Sequence, residues 1–114
     1  MASVEKVLER ALRIAEEVLI REGLNTPKVQ AIIVTNRENR QAGFCRADEG
    51  VFVDIVSETI YVAPGTLDNV VYRFLVGYFT LAFYNSFGKI DKKGVTSLAR
   101  KYFFKVFISS VKDA

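Results

Sequence analysis

The chain has no histidine and no tryptophan, and it holds one cysteine, one methionine and two prolines. Without histidine there is no Ser-His-Asp or Cys-His arrangement, and the commonest zinc and iron ligand is missing. A single cysteine, Cys45, allows no intrachain disulfide, which suits a reducing compartment such as the cytoplasm. The seven glycines are scattered without either nucleotide-binding spacing, so no phosphate-cradling loop is expected. The first twenty residues are charged and periodic, which is not the pattern of a signal peptide. His, Cys, Met and Gln are all scarce, as in hot-adapted proteins.

Half of the 114 residues are hydrophobic and a quarter are charged, enough for one domain (1–114) around one core. That core is expected around Thr66 to Gly88. Twelve of the fifteen residues from Val70 to Tyr84 are apolar or aromatic, and only Arg73 is charged. Thr66 suits an N-cap, Asp68 the positive end of the helix, and Gly88 the stop. A helix apolar on every side is wrapped by protein rather than laid on a surface. Val70 to Phe87 reaches the lower limit of a membrane span, but Arg73, Thr80, Asn85 and Ser86 interrupt it. A buried core helix is therefore expected, with no membrane partner. Gly77 inside it calls for a close neighbour, and Arg73 for solvent or an acid near the helix start.

Upstream, Ser3 to Glu22 places Val4, Val7, Leu8, Ala11, Leu12, Ala15, Val18 and Leu19 at amphipathic helical spacing. Lys28 to Thr35 is β-branched and short, as in a mostly buried strand. Gln41 to Ala47 reads as a second strand after the polar turn 36–40. Asp48-Glu49-Gly50 makes a hairpin turn with Gly50 at positive φ. Val51 to Ser57 and Thr59 to Ala63 follow, either as two strands or as one with a bulge. Beyond Gly88 a basic loop, KIDKKG, leads to a last helix from Val95 to Lys112. The fold class is α+β: an N-terminal amphipathic helix, a small, mostly antiparallel sheet of three or four strands, the buried helix and the C-terminal helix, with helices covering one sheet face.

Few side chains offer chemistry. Cys45 beside Arg46, the Ser97–Lys101 pair one helical turn apart, and the acids Asp48, Glu49, Asp54 and Glu58 are the candidates for a nucleophile, a dyad and a cation site. Each has a plainer account as a small strand residue, a solvated helix face and turn acids. No catalytic residue, metal or cofactor is expected.

Binding surfaces remain. Residues 1–88 hold nine Lys/Arg against eleven Asp/Glu, whereas residues 89–114 hold seven against two. On an ideal helix Lys93, Arg100, Lys101, Lys105 and Lys112 share an arc of about 140°, and Lys92 extends it. Lys92, Lys93, Arg100, Lys101 and Lys105 are thus candidate phosphate contacts for a nucleic-acid-binding module. The last helix also carries two apolar stripes. One runs through Val95, Leu98, Ala99, Tyr102 and Val106, the other through Phe104, Phe107, Ile108 and Val111. Two stripes exceed what one neighbour covers, so Phe104, Phe107 and Val111 are candidates for a protein interface, including a second copy of this chain.

A helix, a strand, a Gly-containing strand pair and IYVAP before a long helix ending in Gly resemble, over roughly residues 1–88, the small zincin-type metallopeptidase domains of the minigluzincin and SprT-like families. In that alignment the families' His-Glu-x-x-His falls on Gly77-Tyr78-Phe79-Thr80-Leu81, so no metal or catalytic residue carries over. The resemblance implies a degenerate scaffold in which Gly77, Tyr78 and Leu81 face the sheet without zinc. The whole chain is also similar to small proteins of crenarchaeal rod-shaped viruses, which would place it in a host cytoplasm, though no motif carries that likeness. The function expected is non-catalytic protein–protein interaction or assembly, as a homo-oligomer or with a protein partner. Nucleic-acid binding is the alternative, and no small-molecule substrate is evident.

Overall fold

The computed structural model describes residues 3–36 and 44–112, with Phe44 described in its backbone alone. The fold is α+β. Helix α1 (Val4–Arg21) begins at Ser3, whose hydroxyl accepts the Lys6 N–H, and buries Val7, Leu8, Ala11, Ala15, Val18 and Leu19. These are the positions that helical spacing assigns to one face, with Val4 and Leu12 left at its margin.

Four strands follow: β1 (Ala31–Val34), β2 (Phe44–Asp48), β3 (Val51–Asp54) and β4 (Thr59–Val62). They form one sheet in the order β1-β4-β3-β2, antiparallel except where β1 runs parallel to β4. Gly50 turns β2 into β3 at a φ of 73°, as that turn requires. Residues 51–63 make two strands rather than one. Asp54 accepts the N–H groups of Val56 and Ser57, and Glu58 takes a φ of 50°, which folds β4 back on β3. β1 corrects an expectation. It is shorter than Lys28 to Thr35 and is not buried, because it lies at the sheet edge, where Ile33 and Val34 are each 40 % exposed. Gln41 to Gly43 of the second predicted strand, and residues 37–40 of the turn before it, lie outside the described residues.

Helix α2 (Leu67–Phe87) packs on β2, β3 and β4, while α1 and α3 (Lys92–Lys112) pack on it and on each other. It is therefore enclosed, with Val70, Val71 and every residue from Phe74 to Ala82 buried. Fully burying a side chain such as Phe74, Leu75 or Leu81 contributes roughly 1.5–3 kcal/mol. Gly77 has the close neighbour expected of it: a Cβ there would lie 2.6 Å from Ile60 Cγ2 and 3.2 Å from Val51 Cγ1. Gly88 closes the helix at a φ of 72°. Thr66 is the N-cap by backbone only, and its hydroxyl bonds instead to Asp68, holding that carboxyl's pKa down. Arg73 is half-buried, and among the described residues it pairs with no acid. Its Nη1 donates to the carbonyls of Ala63 (2.9 Å) and Pro64 (3.2 Å), lying over Gly65, which has no side chain to obstruct it.

α3 begins earlier than Val95. The Asp91 carboxylate accepts the Gly94 N–H at 3.0 Å and the Asp91 carbonyl accepts that of Val95, so Lys92, Lys93 and Gly94 form the first turn. No helix among the described residues is long and apolar enough to cross a membrane.

Candidate functional site

The three chemical candidates are each engaged elsewhere. Cys45 is half-buried in β2 with its thiol toward the Arg46 carbonyl. Lys101, the would-be base for Ser97, donates to Glu22 Oε1 at 3.2 Å. That hydrogen bond raises the lysine pKa, the reverse of what a dyad needs. Three of the four turn acids are spent on backbone: Asp48 accepts the Glu49 N–H, Asp54 those of Val56 and Ser57, and Glu58 that of Lys28. Among the described residues no group of three or more His, Cys, Asp or Glu could hold a metal ion.

The segment Gly77 to Leu81, which the sequence alignment sets against His-Glu-x-x-His, lies in the apolar core. Gly77 is pressed on Ile60 and Leu81 is buried. Tyr78 is wholly buried, stacked on Phe74, with its hydroxyl unpartnered, and burial followed by the Glu16 carboxylate raises its pKa. A glycine, an unionised phenol and a leucine do not fit a zinc ion.

α3 divides its residues among three directions. Val95, Leu98, Ala99, Tyr102 and Val106 turn inward and are buried, as their spacing predicts. The second stripe splits. Phe107 and Val111 are half-buried against the core, Ile108 is 42 % exposed, and Phe104 is 73 % exposed. Beside them Phe103, which belongs to neither stripe, meets Tyr72 of α2 edge-on at 5.7 Å and stacks on Phe107 at 5.6 Å. An aromatic ladder thus crosses from α2 to the outer flank of α3, and Phe104 projects next to it.

The five cations are all exposed, but they do not form one face. Lys92, Lys93 and Arg100 converge with Thr96 and Ser97 on a shallow hollow of about 500 Å³. Lys101 points away from that hollow, toward α1, and Lys105 does not line it. The anchor for Lys101 is Glu22, which sequence spacing along α3 does not reveal. Glu22, just past α1, accepts the Tyr102 hydroxyl at 2.8 Å as well as the Lys101 ammonium. The Tyr102 bond, then the Lys101 bond, lowers the Glu22 pKa. The available signal was a tyrosine on the buried stripe with no partner nearby in sequence, since a buried hydroxyl needs one. Comparison with known proteins finds no match to the chain among family models, curated proteins or solved structures.

Proposed function

We propose that this protein is a non-catalytic assembly protein that self-associates through the outward flank of α3. The observation that carries the reading is Phe104, a large aromatic 73 % exposed beside Ile108, Phe107 and Val111. The inward stripe already satisfies the core, and Phe107 and Val111 reach it in part, so the exposed area at Phe104 and Ile108 is surplus to folding. A two-fold contact would stack the Phe103–Phe107 ladder of one protomer near that of the other. Light scattering across tens of micromolar protein tests it. A dimer that Phe104→Glu converts to a folded monomer is expected, and a wild-type monomer throughout that range refutes it.

The zincin resemblance enters as part of the same proposal, a scaffold of that type whose metal position has been filled by core. The convergence of Lys92, Lys93 and Arg100 with two hydroxyls favours a second reading, a nucleic-acid-binding module in which the hollow takes backbone phosphate. In that reading Lys93→Glu with Arg100→Glu abolishes oligonucleotide binding in fluorescence anisotropy at low salt. Lys101→Glu and Lys105→Glu, outside the hollow, weaken it far less. No binding at micromolar protein removes the reading.

A further inference from the structure

A hollow of about 620 Å³ lies between α1 and β1 and shares no residue with the α3 surface. α1 lines it with Val4, Leu8 and Leu12, a single stripe, with Glu5 and Glu9 alongside. The other wall is residues 29–34, six in a row. Side chains of a strand alternate between faces, so a hollow over a sheet face would be lined by every second residue. Consecutive lining means that this one runs along the strand's edge, where main-chain groups border it. Among the described residues no strand pairs with β1 on the side away from β4. The aliphatic side chains of β1 are part-exposed, and among the described residues the only ionisable side chains lining the hollow are the two glutamates.

We infer that this slot accepts an extended segment of a partner polypeptide, added to the sheet as a strand beside β1. The segment is apolar at alternate positions, to meet Leu8 and Leu12, and carries Lys or Arg where it passes Glu5 and Glu9. A four-residue strand such as β1 spans about 13 Å, which sets a footprint of roughly four to six residues. A second copy of β1 is the less suitable occupant. Pairing two such edges would bring the glutamates of both copies to one seam, where like charges repel. The inference goes beyond self-association through α3 and does not depend on it.

The test titrates the full ¹⁵N-labelled chain with a blocked peptide of about seven alternating Lys and Val residues and follows backbone amide shifts. Saturable shifts confined to β1 and the first half of α1, with a Kd below about 1 mM, are expected. Glu5→Lys with Glu9→Lys should weaken binding about tenfold, and raised salt should weaken it in the wild type alone. N-methylating alternate peptide bonds should abolish it, because added strands are held by main-chain hydrogen bonds. Overturning results are shifts absent at β1, equal binding by a Glu/Val peptide, or equal binding by the N-methylated peptide. A dimer broken by Ile33→Lys but not by Phe104→Glu would give the slot to a second copy and equally overturn the inference.

Discussion

Replacing Gly77 with alanine sets two known effects against each other. Alanine in a helix interior is favoured over glycine by about 1 kcal/mol. On an exposed helix that gain would stand alone. Here the new methyl arrives 2.6 Å from Ile60 Cγ2, well inside contact distance, and 3.2 Å from Val51 Cγ1. Both neighbours are buried β-branched side chains on adjacent strands, so neither has a flexible end to swing aside. Overpacking of this kind costs about 1–3 kcal/mol. The expected balance is a net loss of about 1 kcal/mol in urea unfolding with unchanged m-value. In an Ile60→Ala background the obstructing methyl is gone, and the same substitution should stabilise, a coupling of about 1–2 kcal/mol. Stabilisation of the otherwise wild-type chain by Gly77→Ala, or an equal cost in both backgrounds, would refute the steric argument.

Tyr78→Phe removes a buried hydroxyl without a partner and should raise stability by about 1 kcal/mol in the same assay, whereas a clear loss would reveal a partner. Asp91→Ala deletes the carboxylate over the first turn of α3 and should cost about 1 kcal/mol, with the fraying seen as faster amide exchange from Gly94 to Leu98. Glu22 has its folded pKa held below the ordinary 4.5, by Tyr102 first and Lys101 second, so its contribution is present above that value and is lost as pH falls through the folded one. Glu22→Gln should therefore lower thermal stability at neutral pH and flatten its decline in acid, and an unchanged acid limb would count against the pair.

Much of this fold is written in short-range signals. Ser3, Gly50 and Gly88 mark boundaries by what their own backbones and side chains do within a turn, and the structure puts each boundary there. What the sequence hides depends on distant neighbours. AIIV has the composition of a buried strand, but its exposure follows from standing at an edge, which β4 decides. Gly94 looks like the end of a loop unless Asp91 is seen as a cap three residues before it. Arc-counting on an ideal α3 puts the cations on one arc, yet it does not show that Glu22 draws Lys101 off to α1. The same counting isolated Phe104, Phe107 and Val111 but passed over Phe103, whose role depends on Tyr72. Arg73 reads in sequence as bound for solvent or an acid, because carbonyls made available by a sheet-to-helix bend leave no mark there.

The parallel pairing of β1 with β4 also orders events in time. β2, β3 and β4 are successive in the chain and joined by tight turns, so they come together by closing short loops. Ala31 reaches Thr59 only across that whole intervening hairpin, at a greater entropic cost. β1 is accordingly expected to dock last and to leave first. Each departure bares the flank of β4, a template shaped for one particular strand. At high concentration during refolding, the strand that arrives there can come from a neighbouring molecule, and two chains then trade their β1 strands while keeping every native pairing.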